Sequence, residues 1–474
     1  MKLKRLAAAW CFLALGGAPS VVRASGLYFT DRGVRPMGRG GAFVAGADDL
    51  GAVWYNPAGL ADAGSSVLVD FAYLDFSVDY TRQLLIQNPD GTLQKPTSPT
   101  VHGSAPFLPL PTIAGSYAFG AKKEWTLAAG VLAPYVALTG FPDAVNGQPS
   151  PARYAMGSFA GSLMAVPGLW LAWKPIPQLR IGAGFLALAG SFQTTVTFNA
   201  SPPNRLLGPP EDPQYDAAAK LSAGPIFAPT ANAGITLVPV EAIRFGISGQ
   251  GPMVVDAPAQ LQMHLPSAAI FEGASQNGTD AHIHFVLPAI FRGGIEVRPV
   301  RGLRIEAAYV REFWASQQSI DVTIKNISLQ NVGGGALPSN VPIPNIAFPR
   351  GFQDSSSYRL GAEYHNQAGD YPFDVRAGIS HDTSAVPTDY VSISSLDFDK
   401  WTPTVGASLY VASHWRFDAV YAHVFASTTY VDPSTAKIPR INPIAGNPSF
   451  EPVNGGRYTS TADLFGVGLN YKFE

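Results

Sequence analysis

From Leu464 to Phe473 the chain alternates without a break. Phe465, Val467, Leu469, Tyr471 and Phe473 share one face, and Leu464, Gly466, Gly468, Asn470 and Lys472 share the other. Side chains along a strand repeat every second residue, so such a strand turns an unbroken apolar face to one environment and a small or polar face to another. The pattern recurs: Leu303, Ile305, Ala307 and Tyr309 oppose Arg304 and Glu306, while Tyr358, Leu360, Ala362 and Tyr364 oppose Arg359 and Glu363. Leu74, Phe76, Val78 and Tyr80 likewise alternate with Asp75, Ser77 and Asp79. Charges on one face of so many strands need water or partners behind them, which the polar lumen of a closed barrel supplies. The expected fold is all-β: a transmembrane antiparallel β-barrel with these apolar faces outward and these charges inward.

The rest of the chain leaves few other ways to bury its apolar surface. Lys2, Lys4 and Arg5 precede an apolar run from Leu6 to Ala18, and Val22-Arg23-Ala24 supplies a cleavage site, so residues 1–24 read as a secretory signal cut after Ala24. Cys11, the only cysteine, lies inside that signal, and the mature chain therefore has neither a disulfide framework nor a Cys-ligated metal site. Removing the signal leaves 28 basic against 34 acidic residues, a weakly acidic balance that argues against nucleic acid as a partner. Charged residues make up 14% of the chain, against roughly 25% in soluble domains, while 46% is hydrophobic. No later run approaches the 18 or so apolar residues of a spanning helix, so this surface must be buried through strands.

Loop lengths carry the orientation. Short turns at residues 120–124, 174–178, 239–242, 299–302, 367–371 and 413–414 alternate with long connections at 83–111, 200–229, 266–280, 325–353, 383–399 and 432–457. Short periplasmic turns and long outer loops are the habit of outer-membrane barrels, and the segments number about 14 strands over residues 66–474. Trp401, Trp415 and Tyr471 near strand ends suit interfacial girdles. A secreted sandwich or β-helix is the soluble alternative, but no fixed-period repeat supports a solenoid.

Ahead of the strands, Ser25 to Ala61 is Gly- and Ala-rich and ends in Asn56-Pro57-Ala58-Gly59. Pro57 fixes its own φ and restricts Asn56 to extended conformations, and Gly59 tolerates left-handed geometry, which together predict a rigid tight turn. Two readings stand: a turn that anchors or gates a plug formed by residues 25–65, or an ordinary turn leading into the first strand.

These pieces resemble the FadL family of outer-membrane transporters for long-chain fatty acids and other hydrophobic compounds, some of them linked to aromatic hydrocarbon uptake. The likeness runs through Gly26, Gly38 to Ala42, Ala45, Asp48 or Asp49 and Asn56 to Leu60, then through Asp354 to Phe425, with weaker support from Leu132 to Leu138 and Leu287 to Val297. It implies a barrel closed by an N-terminal hatch, ligand captured at outer loops and passed to a lumen pocket, and release sideways through a break in the third strand. The partners implied are a long-chain fatty acid or a hydrophobic or aromatic small molecule. Outer-membrane lipid, lipopolysaccharide and the barrel-assembly machinery follow from a Gram-negative outer-membrane location. No cofactor, metal or catalytic residue is expected. Two departures are visible: Glu474 follows the terminal aromatic, and Ile181 to Ala200 holds no Lys or Arg where fatty-acid-binding members carry basic residues, which favours neutral ligands.

A fatty acid of about 16 carbons set free in water forgoes on the order of 12 kcal/mol of transfer energy, at roughly 0.8 kcal/mol per methylene, and lateral release avoids that step. Sideways release needs a break in the ladder, because a closed barrel has no edge. Pro134 cannot donate a ladder hydrogen bond, so Gly130, Ala133, Pro134 and Tyr135 form the candidate opening. The competing reading is that residues 125–133 already span and Pro134 merely opens the next loop.

Other groupings point to no chemistry. His282 and His284 share a strand face and read as polar lumen histidines. Gly38-Arg39-Gly40-Gly41 lacks the spacing of a phosphate loop and reads as plug flexibility. Ser380, His381 and Asp382 alternate faces and form no relay. Asn277 and Asn326 sit in glycosylation-like triplets that say little in a bacterial envelope protein. A general diffusion porin and an outer-membrane lipid hydrolase or acyltransferase remain as alternatives.

Overall fold

The computed structural model describes residues 23–28, 31–87, 90–134, 136–159, 161–201, 211–335, 340–442 and 452–473. The expectations for residues 1–22, Tyr135 and Glu474 lie outside the described residues. The strands close into a 14-strand antiparallel barrel. In chain order they are β1 (Ser66–Arg82), β2 (Val101–Ser104 and Leu110–Phe119), β3 (Trp125–Leu132 and Val136–Gly140), β4 (Gly157–Ser158 and Leu163–Ile176) and β5 (Leu179–Asn199). Next come β6 (Asp216–Val240), β7 (Ile243–Gln250 and Met253–His264), β8 (Asp280–Leu287 and Ile290–Val297), β9 (Leu303–Glu312 and Ser319–Ile324) and β10 (Ile346–Pro349 and Ser355–Ala368). The last four are β11 (Tyr371–Asp382), β12 (Lys400–Val411), β13 (Trp415–Ala426 and Thr429–Val431) and β14 (Gly456–Lys472). β14 returns to β1 over a continuous register from Ser66↔Lys472 to Arg82↔Gly456, which leaves no free edge there.

Short hairpins join the strands at one end and long loops at the other. Several expected loops are partly strand, and in three of them a sizeable piece of the barrel wall is involved: residues 83–111 contain Val101–Ser104, 200–229 contain the first half of β6, and 325–353 contain Ile346–Pro349. Each of these pieces extends a strand toward the long-loop end, where polar, small and proline residues mask the alternation.

The outward face carries Phe71, Leu127, Leu169, Phe185, Ile235, Ile247, Leu360, Val405, Phe417 and Val467, all exposed. At the short-turn end, aromatic rings form a girdle: Trp125 stacks on Trp173 at 5.1 Å, and Trp415 and Phe473 flank Tyr471 at 4.6 and 5.0 Å.

β1 corrects one expectation. Leu74, Phe76, Val78 and Tyr80 are buried at 4% or less, and Asp75 and Asp79 face outward. β1 runs for 17 residues, whereas a tilted strand needs about 9–11 to cross hydrocarbon. Its far third stands above that layer, where the exterior meets water and the interior holds an apolar cluster with Val101, Phe141 and Leu464. Tyr80 stacks there on Tyr458 at 4.5 Å. The histidines follow the same inversion: His282 and His284 face outward beside Asp256, with His282 Nε2 2.5 Å from its carboxylate, while Ala281 and Ile283 are buried inside.

Candidate functional site: a filled lumen and a broken strand

Residues 31–65 thread the barrel's interior and are buried almost throughout. Small inner-face residues make the room. A Cβ on Gly182 would stand 2.3 Å from the Pro57 backbone, one on Gly246 2.5 Å from the Val44 oxygen, and one on Gly378 2.2 Å from the Arg39 backbone. These distances are below any van der Waals contact, so the wall strands carry glycine where the segment's backbone touches them.

Charges then seat the segment. Glu306 of β9 accepts hydrogen bonds from three successive amides, Val44, Ala45 and Gly46, at 2.6, 2.8 and 2.9 Å. Arg39, fully buried, bridges Glu296 and Glu306 at 3.0 and 3.1 Å. Arg35 grips Glu363 of β10 through two nitrogens, at 3.0 and 2.7 Å, and also reaches Asp48 and Asp49. Those two carboxylates are held in turn by Arg304 at 2.7 Å and Arg416 at 2.8 Å. Burial alone pushes both carboxyls up, but Arg304 and Arg35 around Asp48, and Arg35 and Arg416 around Asp49, hold each below the usual carboxylate range. Both therefore stay ionised and keep the network intact. At the far end of the segment Asp62 binds Lys174 and Arg180 at 3.0 and 2.9 Å.

The Asn56 to Gly59 group is a helix start rather than a plain tight turn. Asn56 is extended, at φ −159°, and its side chain accepts from Ala58 N, capping a 3₁₀ turn over Pro57–Asp62. Its amide donates to Val44 O at 2.8 Å and to Thr236 Oγ1 of β6 at 3.0 Å, tying the turn to the wall. Gly59 has no left-handed φ. It is glycine because a Cβ there would stand 2.3 Å from Ala47 O. Gly40 and Gly41 do take left-handed φ, 62° and 70°, but they are buried against Ile379 and Arg359. Close packing, not flexibility, accounts for that run.

β3 breaks where proline predicts it and then resumes, so Pro134 does not simply open a loop. Up to Leu132 the strand is laddered to both β2 and β4. Ala133 N still reaches Pro111 O at 2.9 Å, and the strand restarts at Val136. Pro111 and Pro167 sit in the neighbouring strands at the same level, thinning the ladder on both sides. Gly130 lies just below, in the intact part, where a Cβ would press within 2.7 Å of Ile113 O. From inside, Arg32 donates to Ala133 O at 3.3 Å and to Pro134 O at 2.8 Å. Arg32 N in turn donates to Tyr55 OH, which donates to Asp31.

Above the segment, toward the long loops, an apolar cavity is lined by Val196 and Phe198 of β5, Leu221 of β6, Met263 of β7, and Ile343 and Ile441 from outer loops. Its volume is about 30 Å³, room for a water molecule and not for a hydrocarbon. Among the described residues, no ionisable side chain lines it.

A family model described as "Outer membrane protein transport protein (OMPP1/FadL/TodX)" matches residues 18–473. The chain belongs to this family. Among solved structures, a Pseudomonas aeruginosa FadL homologue aligns at 15% identity and TM-score 0.69, over 95% of this chain and 100% of that one. The Ralstonia pickettii toluene transporter TbuX aligns at 15% and 0.57, over 94% and 99%, and the Pseudomonas putida toluene transporter TodX at 12% and 0.58, over 95% and 100%. At such identities the likeness speaks for the fold. No curated protein matches by sequence. As a FadL-family barrel the chain is an integral protein of the Gram-negative outer membrane, and the aromatic girdle at its short-turn end marks one membrane interface.

Sequence reading singled out Asn56 to Gly59 and the β3 break, and it missed the arginine and carboxylate network between segment and wall. A signal was present. Glu296, Glu306 and Glu363 are inward charges on lumen faces, and Arg35 and Arg39 are the cations of an otherwise uncharged stretch from Gly33 to Ala47.

Proposed function

We propose that this protein carries neutral hydrophobic molecules, monoaromatic hydrocarbons among them, passively across the outer membrane. The supporting observation is the apolar cavity at the long-loop end, whose described lining carries no charge, on a fifth strand whose only basic residue, Arg180, is bound to Asp62 at its base. Residues 25–65 act as the hatch, with Asn56, Pro57, Ala58 and Gly59 fixing its hinge to β6. Substrate enters when the outer loops part, and movement of the hatch passes it to the break at Gly130, Ala133, Pro134 and Tyr135, from which it leaves into lipid. The toluene transporters among the structural relatives make an aromatic hydrocarbon the first ligand to test. No reacting group is required, so the protein acts without catalysis or cofactor.

Cells producing the protein should accumulate labelled toluene several-fold faster than cells without it, and should gain little in oleate uptake. Leu221→Phe, which fills the cavity without adding charge, should lower the toluene rate. Equal gains for oleate would overturn the neutral-ligand reading, and ion conductance through the intact barrel would favour a general porin.

A further inference from the structure

The described chain begins with a strand, Arg23–Tyr28, that lies outside the hairpin order of the barrel. It is inserted in the wall. On one side it pairs antiparallel with the outer half of β3, from Ala24↔Gly140 to Tyr28↔Val136. On the other it pairs with β4, through Arg23↔Ser158 and Ala24↔Gly157. Below this level β3 and β4 pair directly, and their mutual register ends at Leu132↔Val166. The N-terminal strand thus occupies the place where the two wall strands part.

Cleavage after Ala24 would change its grip. Both residues paired with β4 belong to the removed signal, whereas Ser25↔Thr139, Gly26↔Leu138, Leu27↔Ala137 and Tyr28↔Val136 remain. The mature strand is then laddered on one edge only, and its release exposes backbone groups that lipid cannot satisfy unless a substrate or the opposite strand covers them. A few residues further on, Arg32 holds the Ala133 and Pro134 carbonyls at the break and is joined through Tyr55 and Asp31 to the hatch.

We propose that residues 25–28, the first residues of the hatch, are a removable stave of the barrel wall, and that Arg32 is the positioning residue that ties its release to movement of the rest of the hatch. This rests on the transport reading above. The mature chain lacks cysteine, so Leu27→Cys with Ala137→Cys places a single pair across the register, within disulfide reach and away from the cleavage site. Oxidation should form the bond, lower toluene uptake at least tenfold in a way that reductant reverses, and leave toluene retention by the purified protein unchanged. Arg32→Gln in the same background should slow formation of that bond several-fold.

Failure of the bond to form, or uptake that ignores it, overturns the stave while the wild-type rate still supports transport. An unchanged rate of bond formation in Arg32→Gln removes Arg32 from the mechanism. A wild-type protein that moves no toluene sinks the transport reading, and this proposal with it.

Discussion

Arg39 sits where two strand carboxylates, Glu296 and Glu306, would otherwise face each other across a lumen closed to water. Removing one partner of such a buried pair costs about 3–5 kcal/mol, because the remaining charge is left uncompensated. Arg39→Met should therefore loosen the segment from the wall and appear as brief single-channel openings absent from the unmodified protein. Adding Glu306→Gln should recover part of the loss, since it removes a stranded charge and keeps one oxygen to accept from the Val44 and Ala45 amides, giving up the bond from Gly46. A quiet channel in Arg39→Met would show that the pair does not seat the segment. None of this was readable from residue spacing, because Arg39 and Glu306 are 267 positions apart and nothing local says which inward carboxylate meets which arginine.

At the scale of elements, β3 and β1 teach opposite lessons. Pro134 marked its own break because a missing donor is a local property. What followed it was not local: the strand resumes at Val136 because the N-terminal strand lies beside it to accept the ladder. Pro134→Val restores a donor and should let β3 ladder further toward β2 or β4. Initial toluene uptake should then fall several-fold, with the melting temperature held or raised. Uptake at the original rate would mean that the break is not the exit. β1 misled the alternation argument because period two says which residues share a face and not which face looks inward. Within the hydrocarbon zone the apolar face turns out, and above it the assignment reverses, so Asp75 and Asp79 look outward and Phe76 and Tyr80 inward. The same reversal carried His282 and His284 to the exterior.

Taken whole, the molecule is a cylinder of antiparallel strands whose short-turn half is occupied by residues 31–65 and whose long-loop half is closed by apolar side chains. Deleting Gly26 to Asp62 should leave most of the wall standing, since β14 still closes on β1 and β3 still ladders to β4 up to Leu132↔Val166, and only the place of the N-terminal strand opens. The inward carboxylates and arginines would then line a wet bore, and large steady conductance should replace silence. Conductance that stays at the level of the full chain would refute the hatch assignment.

The sequence by itself determined that this chain would be a barrel in an outer membrane. Apolar alternation in many separate strands, with no helix-length apolar run, leaves closed sheets as the way to satisfy every backbone group in lipid. It also marked where one strand breaks. Only the tertiary structure decided which face of each strand looks inward at each height, how the N-terminal segment is gripped, and which residues lie against the break. Those outcomes depend on contacts between residues hundreds of positions apart and on the depth of each residue in the bilayer, and neither is encoded in any stretch of neighbouring letters.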